Sequence, residues 1–326
     1  MFAQKLKKGD EVRIVALARS MMIPSVKDEV RNLAVENLHN LGLNVGFGKH
    51  AYEIDEFNSS SIESRIQDFH EAIVDEHVNC ILAVTGGFNS NQLLKYIDYD
   101  LIKRNPKIIC GFSDITAISN AIYAKTGLVT YSGPDFFTFG DRLCLDYSLE
   151  YFRRCLFSEE QFEIKPSLNW GDEEKFNVPN PMLIKNEGFL VINEGEMEGI
   201  LIGGNQSTVN LLQGTEFMPD IAGSILFLED DSEAHPTTFD RDLQSIIHLP
   251  NFDKVKGLII GRFQKATKMT NDLLIKIIKS KKELEKLPVI ANFDFGHTCP
   301  MLTLPIGGRV RIVSSYLGSI IEIINH

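Results

Sequence analysis

Long apolar runs are missing from this 326-residue sequence. The stretch from Val12 to Ala18 is interrupted by Arg13 and is too short for a signal-peptide core. No other run approaches the roughly 18 apolar residues of a membrane-spanning helix, so no membrane partner is expected. Cysteine is sparse, with five residues, an odd number. Cys80, Cys110, Cys144, Cys155 and Cys299 form no CxxC pair, and Cys80 and Cys110 lie inside apolar runs where a thiol acts as a small core residue. This argues against a disulfide framework and for a reducing, cytoplasmic setting. Positive charge is in short supply: 33 Lys and Arg face 44 Asp and Glu, a net charge of −11. Such a surface repels phosphate chains, so a nucleic acid polymer is not an expected partner. HExxH, calcium-loop, Walker A and GxGxxG patterns are also absent, so neither a metal nor a cofactor is expected.

What is present is the composition of an ordinary folded protein, 44% hydrophobic and 24% charged. The first ~140 residues alternate strand and helix patterns. Glu11 to Ala18 reads as a buried strand. Val26 to Leu41 reads as a helix with Val30, Leu33, Ala34, Leu38 and Leu41 on one face and Gly42 as its stop. Ile62, Ile66, Phe69 and Ile73 mark a second helical stripe. Cys80–Thr85 and Lys107–Gly111 are short apolar strands, the latter followed by a helix through Ala124. This alternation predicts parallel strands joined by crossover helices. Residues 158–198 carry many charges plus Pro166, Pro179 and Pro181, and read as a linker. Beyond it, apolar strands at Gly199–Ile202, Ser224–Leu228 and Gly257–Ile260 precede a helix over Asn271–Lys282. A β-hairpin closes the chain between Arg309 and Ile324. The expectation is a two-domain α/β protein: a parallel-sheet domain over 1–157, the linker 158–198, and a β-rich α/β domain over 199–326.

Four residues that can carry chemistry follow apolar strands, the place where open α/β sheets build sites. Ser113 stands in KIICGFSDITAI, a strand, sharp turn and helix. The turn lifts a hydroxyl off the strand, and the helix start offers N–H groups to a developing oxyanion. Only half of the hydrolase elbow G-x-S-x-G is there, since Ile115 replaces the second glycine. On this fragment alone, a helix cap by Ser113 or Asp114 is the favoured reading. Gly86–Gly87 follow a strand and let backbone N–H groups approach a ligand, or simply make a tight turn. Glu229 ends SILFLE, ahead of the acidic Asp230, Asp231 and Glu233, and a carboxylate at a strand mouth can orient a histidine. A metal on Asp230, Asp231 and His235 is the weaker reading. His297 lies just past the strand in PVIANFDFGHTCP. Finally, Gly203–Gly204–Asn205 reads as a glycine turn before a helix, a geometry able to cradle an anion.

Taken in order, GDEVRIVA, TGGFNSNQLL, NPKIICGFSDITAI, EGILIGGNQSTVNLLQGT, ILFLEDDSEAHPTTFDRDL, KGLIIGRF and FDFGHTCP resemble the LD-carboxypeptidase family of serine peptidases. That family includes the microcin-C self-immunity proteins. The resemblance implies a Ser-His-Glu hydrolase with Ser113 as nucleophile, His297 as general base and then acid, and Glu229 as the group that orients His297. It implies an oxyanion hole from the amides of Asp114 and of Gly86 or Gly87, with the choice of glycine open. It also implies a homodimer. Two departures stand out: Leu17-Ala18-Arg19-Ser20 replaces a Pro-Ser turn, and Thr85 takes a place where arginine is often seen.

The spellings around Asn205 and Glu229 look more like the immunity branch, which cleaves a peptidyl or aminoacyl nucleotide. The alternative branch trims the terminal D-alanine of murein tetrapeptides. Asn205 and Trp170, the sole tryptophan, are the substrate-binding candidates. Trp170 offers a stacking surface for a base, or else pins the linker as a half-buried hydrophobe. A reading from another class, a protein that closes on a small ligand without turnover, predicts unchanged affinity in Ser113→Ala.

Overall fold

The computed structural model describes residues 1–172 and 182–326. Pro179 and Pro181 of the expected linker lie outside the described residues.

The fold is α/β, with a parallel sheet in its N-terminal part and a β-rich C-terminal part. The first half contributes β1 (Glu11–Val15), α1 (Asp28–Asn40), β2 (Asn44–Phe47), α2 (Ile62–Val74), β3 (Val78–Ala83), α3 (Tyr99–Arg104), β4 (Ile108–Gly111), α4 (Thr116–Thr126), β5 (Thr130–Ser132) and α5 (Leu145–Phe157). Then come β6 (Phe162–Glu163), β7 (Asn169–Trp170), β8 (Ile184–Lys185), β9 (Leu190–Asn193), β10 (Gly195–Asn205), α6 (Gln206–Asn210) and β11 (Ser224–Glu229). The chain finishes with α7 (Pro236–Ile247), β12 (Gly257–Gly261), α8 (Asn271–Lys279), β13 (Val289–Phe293), β14 (Leu304–Ile306), β15 (Arg309–Ser315) and β16 (Gly318–Asn325).

Six strands form the first sheet in the order β14-β5-β4-β3-β1-β2, parallel except where β14 pairs antiparallel with β5. Eight form the second, β6-β16-β15-β10-β11-β12-β13-β9. Its centre, β10 to β13, is parallel, and antiparallel strands flank it on both sides. Central strands of both sheets are apolar on both faces because helices and loops cover them. Ile108, Ile109 and Cys110 in β4, and Ile225 to Leu228 in β11, are all buried, as two-sided parallel strands require.

Several boundaries differ from the sequence expectations. β1 stops at Val15 because the chain then turns: the Leu17 N–H donates to Val15 O (3.1 Å) and Ala18 O accepts from Ser59 Oγ (2.6 Å). The backbone there directs its hydrogen bonds to loops instead of a ladder. β10 runs through Gly203 and Gly204, which are strand and not turn, to Asn205. Both glycines have positive φ, 141° and 126°, and pair with Phe227 and Leu228 of β11. Two pieces of residues 158–198, β6 and β9, are edge strands of the second sheet.

Helix α4 joins the two sheets. Its first turns are buried on all sides, from Thr116 to Ile122. Asn120 Nδ2 donates to Gly203 O (2.8 Å) and to Thr116 O (2.9 Å), while the Asn205 N–H donates to Thr116 Oγ1 (3.1 Å). A Cβ on Gly204 would lie 2.5 Å from Thr116 Oγ1, so only glycine lets the strand come this close. Buried polar contacts of this kind contribute about 1 kcal/mol each, and the penalty is larger when one partner is orphaned. They fix the end of β10 against the helix that begins at the β4 turn.

Candidate active site

Ser113 sits in the left-handed region with φ 59°. β4 ends at Gly111, Phe112 is extended, and a 3₁₀ turn over Ser113–Ile115 leads into α4. That conformation costs an L-residue about 1–2 kcal/mol, and the turn aims the hydroxyl out of the strand end. The neighbouring strand supplies the opposing wall. A Cβ on Gly86 would lie 2.8 Å from Ser113 Cβ, 3.0 Å from its Oγ and 3.4 Å from the Asp114 amide nitrogen. The bare glycine therefore leaves space beside both the hydroxyl and that N–H. Gly87 is small for another reason: its Cβ would press on Ala18 Cβ (2.9 Å) and Arg19 Cγ (3.2 Å). The Asp114 carboxyl points away from the space, where Oδ2 accepts the Ser90 N–H (2.9 Å), and burial raises its pKa above the ordinary carboxylate value.

The register of β10 on β11 sets Asn205 opposite Glu229. Glu229 is 2% exposed. Its carboxylate packs over Gly296, where a Cβ would come within 2.5 Å of Oε2 and where φ is 98°. His297 follows that glycine. Its Nδ1 is 2.7 Å from Glu229 Oε2, and its Nε2 is 2.9 Å from Ser113 Oγ. A carboxylate can only accept, so Nδ1 carries the proton and Nε2 offers its lone pair to the serine hydroxyl. The imidazole is held from the side by Phe112, with ring centroids 5.3 Å apart. Residues 184 positions apart thus meet in one hydrogen-bonded row of alcohol, imidazole and acid. Such a row can deprotonate an alcohol, stabilise the imidazolium and return the proton to a leaving group.

A cavity of about 340 Å³ opens at this row, lined by Gly87, Phe88, Ser113, Asp114, Asn205 and Asp230 among others. Asn205 caps α6: its Oδ1 accepts from Thr208 N (3.0 Å) and Ser207 Oγ (2.8 Å), and its Nδ2 donates to Asp230 Oδ1 (3.3 Å). The anion cradle expected at Gly203–Asn205 is thus taken up by the chain's own Asn205 and Asp230. Burial and the neighbouring Glu229 push the Asp230 carboxyl up to about 7.

Trp170 is not among the residues lining the Ser113 cavity. It lines a second one, also of about 340 Å³, with Arg262 and Lys265. The Arg262 guanidinium lies 4.9 Å from the indole centre and Lys265 Nζ 5.8 Å from it. Arg262 is also paired with buried Asp294 (3.1 Å). The strand bearing Trp170 is tied to the loop after His297, since the Gly171 and Cys299 N–H groups donate to each other's carbonyl oxygens (2.8 and 3.0 Å). Among the described residues, no group of three or more His, Cys, Asp and Glu side chains is arranged to hold a metal ion, and no helix is long and apolar enough to cross a membrane. His235 stands at the start of α7, where its N–H donates to Thr238 Oγ1 (2.8 Å).

Sequence reasoning misses Asp230, Thr116 and Asn120 as parts of this arrangement. Along the chain Asp230 reads as part of an acidic loop or, more weakly, as a metal candidate, and the two helix residues carry no motif of their own.

Comparison with known proteins adds three kinds of likeness. Residues 12–133 match the LD-carboxypeptidase N-terminal domain and residues 198–312 the LD-carboxypeptidase C-terminal domain. The "Putative carboxypeptidase YocD" of Bacillus subtilis (strain 168) is 55% identical over 96% of both chains. The Microcin C7 self-immunity protein MccF of Escherichia coli is 37% identical over 85% of this chain and 83% of its own. Among solved structures, an MccF-like protein from Bacillus anthracis superposes with a TM-score of 0.98 at 52% identity, covering 100% of each chain. MccF in complex with aspartyl sulfamoyl adenosine superposes with a TM-score of 0.90 at 32% identity, covering 100% of this chain and 99% of the other.

Proposed function

The chain belongs to the LD-carboxypeptidase family of serine-type hydrolases, and from that premise we propose that it cleaves an amide-type bond in an aminoacyl or peptidyl nucleotide by acyl transfer through Ser113. The observation that carries this reading is the row Ser113–His297–Glu229, with contacts of 2.9 and 2.7 Å.

The steps follow from the atoms in place. His297 Nε2 takes the Ser113 proton as Oγ attacks the carbonyl carbon, and buried Glu229 balances the imidazolium charge. The oxyanion that forms is received by the Asp114 N–H and by an N–H of Gly86 or Gly87. Preorganised donors of this type contribute about 10²–10³-fold each in rate. His297 then passes its proton to the leaving nitrogen, the C–N bond breaks, and the acyl group remains as an ester on Ser113. Water, deprotonated by His297, attacks the ester and restores the hydroxyl.

The nucleotide assignment is supported by the second cavity. An indole beside two cations suits a base and an anionic linker, and its strand is bonded to the His297 loop. MccF, which shares the fold, binds an aminoacyl sulfamoyl nucleotide. The test is purified protein with aspartyl sulfamoyl adenosine and, separately, with a tetrapeptide ending in D-alanine, both followed by mass spectrometry. Ser113→Ala is expected to fold normally and lose at least ~10³-fold in rate. Near-wild-type turnover by that variant would refute the mechanism, and release of D-alanine in preference to the nucleotide would move the substrate to cell-wall peptides.

A further inference from the structure

The Ser113 cavity has a charge that the hydrolytic steps do not use. Its lining includes Asp230, Asp231, Glu233 and Asp242, against a single basic residue, Arg241. Arg241 is already engaged, with Nε 3.1 Å from Asp242 Oδ1. Asp230 is the decisive member. It is 4% exposed, yet it faces the cavity. All three of its hydrogen bonds fall on Oδ1, from Asn205 Nδ2 (3.3 Å), Ser207 Oγ (3.3 Å) and the Asp231 N–H (3.1 Å). Among the described residues, none donates to Oδ2 and none forms an ion pair with it. That oxygen is left without a donor from the chain, on a residue that lines the same cavity as the nucleophile.

Resting on the hydrolase reading above, we infer that Asp230 Oδ2 receives a primary ammonium group of the substrate, making Asp230 the residue that selects substrates with a free amine. A positive group supplied by the ligand completes the donor set that the protein leaves open. It also explains the opposite character of the Ser113 cavity and the Trp170 cavity. One is lined by carboxylates, the other by Arg262 and Lys265 beside Trp170. A molecule with an ammonium at one end and an anionic group at the other spans them with the scissile carbonyl between. Two sources share this chemistry: the α-amine of an aminoacyl nucleotide, and the side-chain amine of a diamino acid placed before a terminal D-alanine.

Four probes separate these possibilities: alanyl sulfamoyl adenosine and its N-acetyl form, and a tetrapeptide ending in lysyl-D-alanine with its side-chain amine free or acetylated. In the wild type, acetylation at the recognised amine is expected to lower kcat/KM by about 10–100-fold, the worth of one charge-assisted hydrogen bond. In Asp230→Asn the ratio of free to acetylated substrate should collapse toward one, mainly through KM. The pair that shows the effect identifies the source. An unchanged ratio in Asp230→Asn overturns the inference and leaves Asp230 as a brace for Asn205 and α6, as does equal turnover of free and acetylated probes by the wild type. Calorimetric binding to Ser113→Ala keeps the two proposals apart. If no probe is hydrolysed but the free amine binds at least about 10-fold more tightly than its acetylated form, the hydrolase reading fails and the ammonium site stands. Equal binding of both forms refutes the ammonium site whatever the activity.

Discussion

Replacing Glu229 by glutamine removes one charge and no volume from the most buried end of the hydrogen-bonded row. The substitution weakens the 2.7 Å bond between Oε2 and His297 Nδ1, made by a carboxylate 2% exposed. A charge-assisted bond is worth about 1.5–3 kcal/mol, which sets a floor near 10-fold in kcat. The ceiling is higher. If the new amide presents its NH₂ to Nδ1, the proton moves to Nε2, and the imidazole then donates toward Ser113 and cannot accept from it. A wrong tautomer of this kind costs about 10⁴-fold in serine hydrolases. The expected result is thus a loss of about 10–10⁴-fold in kcat with KM little changed. Glutamine fits the same space over Gly296, so melting temperature should move by no more than about 2–4 °C. Steady-state hydrolysis of aspartyl sulfamoyl adenosine reads the first quantity, and calorimetry the second. A loss of less than tenfold in kcat, with the fold intact, would refute the idea that Glu229 governs the proton on His297.

Other outcomes follow from the same geometry. Gly296→Ala sets a Cβ 2.5 Å from Glu229 Oε2 at φ 98°, and should cost about 1–3 kcal/mol of stability together with at least ~10-fold in kcat as the acid is displaced from His297; thermal melts and kinetics on one preparation check both. Ser113→Gly relieves the left-handed backbone while Ser113→Ala retains it, so the glycine variant should melt higher than the alanine variant by the equivalent of about 1 kcal/mol, with both inactive. Asp230, pushed up to about 7 by burial and Glu229 against the hydrogen bond from the Asp231 N–H, holds a proton in the native state between about pH 4 and 7 that the unfolded chain releases above about pH 4. Its contribution is full below that point and fades as pH rises through 7, by on the order of 2–4 kcal/mol. Wild type minus Asp230→Asn in Tm, measured from pH 4 to 8, should therefore fall with rising pH, and a flat difference would contradict the buried placement.

Much of this architecture can be read directly from the residue pattern. Cys80 to Val84, Ile225 to Leu228 and Gly257 to Ile260 carry no charged or strongly polar side chain, and parallel strands covered on both faces satisfy that. Because Ser113, Glu229 and His297 each closely follow such a strand, their position at strand ends is legible as well. What periodicity cannot convey is which strand lies beside which. The pairing that sets Asn205 opposite Glu229 comes from Gly203 and Gly204 continuing β10, and in sequence a glycine pair looks like a turn. β6 and β9 are too short and too polar in context to carry a pattern. Asp230 looks solvated among its acidic neighbours, because the cover over it comes from distant parts of the chain.

The path of the chain near its end has an evolutionary and practical corollary. After His297 the polypeptide leaves the second sheet, lends Leu304–Ile306 to the edge of β5 in the first, and only then returns for the final hairpin. The front half is thereby completed by a strand from the back. A gene fragment encoding only the serine-bearing portion would yield a product with a naked β5 border, prone to sticking to its own copies. Recombination that swaps front and back portions between relatives must match this borrowed strand as well as the residues that touch substrate.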